Sequence, residues 1–305
     1  MYDLIIIGGG PGAVAAAVYA ARKKIKFLLI TESFGGQSVV SADVQNWIGT
    51  PSISGLELGQ MFERHLKAQE GNEILEGELV EAVAKIDEGF EVKTKSGQAL
   101  RTKFILIATG SRRRKLGIAG ESEFDGKGVV YCSTCDAPIF KNKTVVIVGG
   151  GNSGLEAVLD SLPYAAKIYL MEKAPALRGD SVTQEKIKKD PKVMVMTEVE
   201  PIEVMGEKFV KTLKYKDLKT GEIKELLTDG VFVEIGAVPN SDFVKDLVQL
   251  NKIGEIAVDH KTQQTSAPGI WAVGDVSDVL YKQNNISAGD GVKALMNIYE
   301  TLNKS

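Results

Sequence analysis

A chain of 305 residues with 44% hydrophobic and 25% charged side chains has the composition of a globular protein and the length of about two domains. Its formal net charge of -3 gives no electrostatic footprint for nucleic acid. No apolar run reaches the roughly 18 residues of a membrane span, and the longest, Gly12 to Ala21, runs into Arg22, Lys23 and Lys24. A strand pattern begins almost at once, with no charged leader and cleavage site before it, so a cytoplasmic protein with no membrane partner is expected.

The first predicted element is the apolar run Asp3 to Ile7, a strand buried on both faces. "GGGPGA", Gly8 to Ala13 with Pro11 inside it, leads into the helical stretch "AVAAAVYAARKK". Gly8, Gly10 and Ala13 fit the G-x-G-x-x-G/A fingerprint: a tight turn, close approach of the backbone to a pyrophosphate, and close helix packing. The helix start offers free N–H groups and partial positive charge to phosphates. A second strand, "KFLLITE", ends at Glu32, where a carboxylate can accept hydrogen bonds from a ribose.

"YCSTCDAPIF" follows, holding both cysteines of the chain, Cys132 and Cys135. In a reducing compartment such a close pair is redox-active or metal-binding rather than a structural disulfide. The dinucleotide pattern then recurs in "KTVVIVGGGNSGLEAVLDSL", with Gly149, Gly151 and Gly154 at the required spacing and Asn152 and Ser153 between them. Its second strand, "KIYLME", ends at Glu172. The copies begin 141 residues apart (149 minus 8), too far for a solenoid repeat and suited to two Rossmann-type domains. Two dinucleotides on one chain suggest a flavin in one domain, a nicotinamide in the other, and electron transfer between them.

Nine segments together resemble the low-molecular-weight thioredoxin reductases, class II pyridine nucleotide-disulfide oxidoreductases, over nearly the whole length. They are "IIIGGGPGA", "FGGQ", "QNWIG", "ILIATGS", "YCSTCD", "VIVGGGNSG", "DGVFVEIGAVPN", "GIWAVGD" and "YKQNNISAGDG". The resemblance implies an α/β fold with two Rossmann-type nucleotide-binding domains, the second inserted into the first. The FAD domain would comprise residues 1–111 and 241–305, and the NAD(P)H domain, residues 112–240, would carry the CxxC motif. The ATG segment with Thr109 and Gly110 and the late VGDV segment with Gly274 are the expected crossings. Asp275 is expected at the FAD ribityl and pyrophosphate, with Gly36, Gln37, Asn46, Lys282 and Gln283 around the flavin.

On this reading Cys132 and Cys135 share one short turn, close enough to open and close a disulfide without moving the backbone. A helix start favours their thiolates, and Asp136 beside them can move a proton. No metal is expected, because structural zinc takes four ligands and the chain has only two cysteines and two histidines. His65 and His260 lie far from any motif and read as ordinary residues. By resemblance Cys135 faces the flavin, Cys132 exchanges with the partner's disulfide, and Asp136 completes the catalytic set. A domain rotation and a homodimer are implied as well. The run "SRRRKLG" reads as a solvated linker in preference to a docking patch.

The relatives that use NADPH carry "HRRxxxR" after the second strand of the insert, whereas this chain has "MEKAPALRGD". Glu172 would repel a 2′-phosphate and bond a free 2′-hydroxyl, so NADH is favoured over NADPH, with Lys173 and Arg178 leaving some positive charge nearby. "LMEKAP" and "GGGNSGLEAVLD" are similar to the flavoprotein of alkyl hydroperoxide reductase, which uses NADH and carries an extra thioredoxin-like domain. That domain is not expected here, so the acceptor would be a separate thioredoxin or glutaredoxin-like protein. Ala119, Ala137, Pro138 and Pro163 depart from the family pattern and could stiffen the dithiol region. Two other readings are a reduced ferredoxin or flavoprotein as electron donor in place of NAD(P)H, and a redox-sensing flavoprotein without turnover.

Overall fold

The computed structural model describes residues 1–41 and 43–304. Strand β1 (Tyr2–Ile7), helix α1 (Pro11–Arg22) and strand β2 (Phe27–Thr31) form the opening βαβ unit. Helix α2 (Gly55–Lys67) starts at a reciprocal cap, in which Ser54 Oγ accepts from the Glu57 N–H and Glu57 Oε2 accepts from the Ser54 N–H, both at 3.2 Å. Strands β3 (Glu73–Glu76), β4 (Val80–Ile86), β5 (Gly89–Thr94) and β6 (Ala99–Ile107) complete the first pass.

After β7 (Ser111–Arg113) come β8 (Val129–Val130), α3 (Ser133–Asp136), β9 (Thr144–Val148), α4 (Asn152–Ser161) and β10 (Lys167–Glu172). They are followed by α5 (Ser181–Lys188), β11 (Val193–Thr197), β12 (Val199–Gly206), β13 (Val210–Asp217), β14 (Ile223–Leu227) and β15 (Gly230–Val233). The chain returns through β16 (Ala237–Pro239), which pairs with β7, and ends in β17 (Ile270–Ala272) and α6 (Asn284–Leu302). Two compact units result: Met1–Val39, Val44–Arg112 and Val238–Ser305 form the first, and Val40–Asp43 with Arg113–Ala237 the second.

The first unit is built on a seven-stranded sheet in the order β3-β2-β1-β6-β5-β4, with β17 also on β6. β1 is central because Leu4 to Ile7 are at most 3% exposed and have no face left for water. It runs parallel to β2 and β6, with Ile7 opposite both Ile30 and Ile107. Alternation divides its side chains: Leu4 and Ile6 join α1, α2 and α6 in one core, while Ile5 and Ile7 join Val83, Val92, Val244 and Ile256 in the other. β6 changes partner along its length, antiparallel to β5 at Ala99 to Thr102 and parallel to β17 at Ile105 to Ile107.

The second unit repeats the plan with a parallel sheet in the order β11-β10-β9-β15-β8. Val145 and Ile147 of β9 pack with Leu155 and Val158 of α4, while Val146 and Val148 face a core shared with the antiparallel sheet β12-β13-β14. The parallel strands of each sheet therefore have a topological switch point, between β1 and β6 in one and β9 and β15 in the other, where Rossmann-type sheets bind their ligands. One sequence expectation is corrected here. The VGDV segment is not a crossing, because "IWA" before it forms β17 on β6, which leaves Gly274 and Asp275 inside the first unit. Among the described residues no helix is long and apolar enough to cross a membrane.

Trp271 locks β17 in place: it is fully buried, its ring meets Phe104 edge-on at 5.4 Å, and its Nε1 donates to Asn297 Oδ1 at 3.0 Å. Trp271→Ala is expected to destabilise the protein by about 3–5 kcal/mol, measured as a lower urea midpoint, and Trp271→Phe by clearly less.

Candidate active site

In the first unit Gly8 leaves β1 at φ +128°, and a side chain there would meet the Ala108 carbonyl oxygen at 2.2 Å. Only glycine fits both demands. Gly10 is the N-cap of α1 and has no side-chain cap, Pro11 supplies the first helical residue, and a Cβ on Gly10 would meet nothing within 4 Å. The start of α1 thus has no side-chain cap, and Gly10 leaves room beside it. Gly36 comes within 3.5 Å of the Gly10 Cα when given a Cβ, and Glu32 stands exposed just past β2. Ala13 is fully buried in the core below.

Thr109 and Asn240 are bound reciprocally: Thr109 Oγ1 donates to the Asn240 carbonyl at 2.7 Å and Asn240 Nδ2 to the Thr109 carbonyl at 2.9 Å. Gly110 follows, its carbonyl accepting from the Asn240 N–H at 3.0 Å. Gln283 is the N-cap of α6, and Asn46 Nδ2 donates to its Oε1 at 3.2 Å. Ser287 Oγ lies next to both Gly12 and Gly274, which brings the turn carrying half-buried Asp275 against the first turn of α1. Gln37 stands exposed in the short helical turn after Gly36. Lys282 is committed to scaffolding, paired with Glu255 at 2.8 Å and donating to the Ser277 carbonyl at 2.5 Å.

The second unit holds a cavity of about 510 Å³ in front of the other glycine turn, with Gly149, Gly151, Glu172, Arg178 and Glu234 on its wall. Gly149 has φ +127°, and a Cβ there would meet the Glu234 carbonyl oxygen at 2.3 Å. Gly151 is the uncapped N-cap of α4, and Gly154 packs on Gly149 one turn along. Asn152 Oδ1 accepts from the Asp180 N–H at 2.8 Å, while Ser153 is exposed. Glu172, only 4% exposed, accepts from the Gly150 and Ala174 N–H groups at 2.8 Å each and pairs with Arg178 at 3.4 Å. Lys173 is paired with Glu200 at 2.6 Å.

Cys132 and Cys135 are joined in a disulfide with 5.3 Å between their Cα atoms. Cys132 is the N-cap of α3, its carbonyl accepting from the Asp136 N–H at 3.0 Å, and both cysteines are half-buried. The turn is fastened to α4 by Asp160, whose Oδ2 accepts from Ser133 Oγ at 2.8 Å and Thr134 Oγ1 at 3.0 Å. Buried Glu121 fixes the approach, accepting from Tyr131 Oη at 3.0 Å and from the Leu116 and Gly117 N–H groups at 2.8 and 2.7 Å. Pro138 stands at the start of the next helical turn, where its missing N–H costs nothing.

Asp136 is 8% exposed, and burial pushes its carboxyl up to about 7 against the opposing pull of the Cys132 N–H and the Arg113 guanidinium. Glu234 behaves alike: burial raises it to about 7, Arg113 and the Ser133 N–H oppose, and Asp160 and Asp136 add to the rise. Arg113 belongs to the run read as a solvated linker. That reading is corrected: Arg113 is half-buried and faces both acids, because β7 pairs with β16 and turns it inward. Motif reading missed Arg113, Asp160 and Glu234. For Glu234 a signal existed, since it directly follows the buried strand β15, much as Glu172 closes β10.

Two glycine turns of one build, each at the switch point of a parallel sheet, and a CxxC disulfide docked on the second define a dinucleotide-binding disulfide oxidoreductase. The chain belongs to the pyridine nucleotide-disulphide oxidoreductase family, whose model matches residues 2–293. It is 41% identical over 304 residues to the F subunit of alkyl hydroperoxide reductase from Pseudomonas putida, covering 99% of this chain and 58% of that protein. It thus spans somewhat more than half the length of that relative. Thioredoxin reductase from Streptococcus pyogenes superposes with a TM-score of 0.93 at 31% identity, covering 100% of this chain and 99% of that one. Thioredoxin reductase from Giardia duodenalis gives 0.92 at 28% identity and 99% of both chains.

Asp136 makes stability depend on pH. Its folded carboxyl titrates near 7 against an ordinary 3.8, so the folded state holds a proton across that window and stability falls as pH rises through it. Asp136→Asn removes this loss. The oxidised variant is expected to melt about 2 °C or more above the parent at pH 8, by calorimetry, with the gap closing as pH falls from about 7 towards 3.8.

Proposed function

We propose that the chain is an FAD-dependent disulfide reductase that draws electrons from NADH and delivers them through Cys132 and Cys135 to a thioredoxin-like disulfide. The observation that carries this reading is the dithiol turn itself: a CxxC disulfide tied to α4 through Asp160, with an acid beside it that titrates near neutrality. A proton donor and acceptor poised at about 7 is what disulfide opening and closing needs at physiological pH.

Residues 1–111 and 241–305 are assigned to FAD and residues 112–240 to the nicotinamide. The FAD assignment is supported by the open space before the uncapped start of α1, with Gly8, Gly10, Gly36 and Asp275 around it and Glu32 placed for a ribose. Gln37, Asn46, Thr109, Gly110 and Gln283 would border the ring system. FAD, when bound, supplies the two-electron chemistry that links a hydride donor to a dithiol. The nicotinamide assignment rests on the second cavity, with Gly149, Gly151, Asn152, Ser153 and Gly154 for the pyrophosphate and Glu172 at the adenosine ribose. NADH is preferred because an acidic side chain, Glu172, stands at the strand end and the two nearby cations are already paired, Lys173 with Glu200 and Arg178 with Glu172. Little positive charge is left for a 2′-phosphate.

In the dithiol state the Cys132 thiolate attacks the acceptor disulfide, forming a mixed disulfide and releasing one acceptor thiolate. Asp136 takes the proton of Cys135, whose thiolate then attacks the Cys132 sulfur. That closes the disulfide and expels the second acceptor thiolate. The same role for Cys132 and Cys135 holds whether the thioredoxin-like acceptor is another molecule or another domain.

Anaerobic titration of the flavin-loaded protein should show bleaching near 450 nm, roughly the wavelength of the oxidised flavin, with NADH and at least about tenfold less efficiently with NADPH. Bleaching by neither, but by dithiothreitol or reduced ferredoxin, overturns the nicotinamide reading in favour of a protein donor. In Cys132→Ser, flavin reduction by NADH should persist while turnover of a thioredoxin disulfide falls by about 1000-fold or more. Turnover at the parent's rate would refute the role given to Cys132.

A further inference from the structure

The proposed chemistry uses Asp136 and leaves the second buried acid of this unit, Glu234, without a task. Glu234 stands at the topological switch point, where its backbone N–H donates to the Val148 carbonyl at 2.8 Å and its own carbonyl closes over Gly149. The residue is on the wall of the nucleotide cavity, and its carboxyl faces the Ser133 N–H at the start of the dithiol turn. It is 8% exposed, and its Oε1 has no hydrogen-bond partner among the described residues. One residue thus borders both working parts of the unit.

We propose that Glu234 couples the nucleotide cavity to the dithiol turn by carrying a proton, so that a nicotinamide dinucleotide binds together with a proton taken up on this residue. This rests on the nicotinamide reading given above. The charges around Glu234 supply the reason. From α3 comes Asp136, from α4 Asp160, and from β7 the Arg113 guanidinium, which also faces Asp136. Across the cavity stand Glu172 and Arg178 as one pair and Lys173 and Glu200 as another. Bringing in a pyrophosphate with two negative charges beside Gly149 adds repulsion to a carboxylate that burial already disfavours. The carboxylate escapes by protonation: nucleotide, one proton and Glu234 carboxylate give bound nucleotide and neutral Glu234. Affinity for the nucleotide therefore rises as pH falls. At the other end, loss of negative charge beside the Ser133 N–H leaves that donor free to favour a thiolate on Cys132. Nucleotide binding would thereby prime the dithiol for exchange.

Titration calorimetry of the oxidised holoprotein with NAD+, which neither reduces it nor titrates near neutrality, tests this. Run at pH 7.5 in two buffers of different ionisation enthalpy, it should register uptake of about half a proton per nucleotide, as a one-unit rise from about 7 requires. Binding should be about fivefold tighter at pH 6 than at pH 8 for the same shift. Glu234→Gln should abolish the uptake and flatten the pH dependence to within about twofold, and Glu234→Ala should do the same, guarding against a folding effect of either variant. Asp136→Asn should retain most of the uptake. Binding without proton uptake, uptake that persists in both Glu234 variants, or uptake lost only in Asp136→Asn overturns the proposal. Absence of NAD+ binding by the parent instead overturns the nicotinamide reading itself.

Discussion

Everything in both units hangs on how closely two neighbouring strand ends approach. At the end of β1 the Ala108 carbonyl leaves no room for a side chain on Gly8, and at the end of β9 the Glu234 carbonyl leaves none on Gly149. The hydrogen bonds repeat as well. Gly8 N donates to Ile30 O and Ala108 N to Ile7 O at 2.8 Å, while Gly149 N donates to Met171 O at 2.9 Å and Glu234 N to Val148 O at 2.8 Å. With the turn clamped in this way the next helix must start beside the gap, its first N–H groups pointing outward. Steric closure thus fixes where an anion can bind before any ligand-specific side chain is considered.

Where the two copies differ, their chemistry diverges. The position that closes over Gly8 is an alanine, while the one that closes over Gly149 is a buried glutamate. Around that glutamate the second unit concentrates Asp136, Asp160 and Arg113, with the dithiol turn hung on Asp160. Desolvation and Coulomb attraction oppose one another here. For both Asp136 and Glu234 desolvation wins, which is why two carboxyls come to titrate where histidines ordinarily do.

Much of this was legible in the sequence because it depends on short-range pattern. Continuous apolar runs marked β1 and β9 as central strands, glycine spacing marked the turns, and a cysteine pair three apart can close within one turn. What escaped depends on contacts between distant segments. Arg113 reads as one member of a basic run, and only the pairing of β7 with a strand more than a hundred residues later aims it at the acids. The VGDV turn looked like a crossing because no local signal tells that "IWA" pairs with β6. Glu234 sits one residue past a buried strand and was passed over, because its link to the dithiol spans 101 residues (234 minus 133).

The pairing of β7 with β16 has a further consequence. Arg114 N donates to Gly236 O and Asn240 N to Gly110 O, each at 3.0 Å, so the outgoing and returning chains are stitched side by side. To the first unit, the whole insert is equivalent to the tip of a hairpin with its ends already pinned. The entropy of closing that loop is then nearly independent of what lies between the ends, and grows only with the logarithm of length even without the stitch. An insert attached in this way is free to be lengthened, permuted or exchanged as one cassette while the first unit's sheet keeps its register.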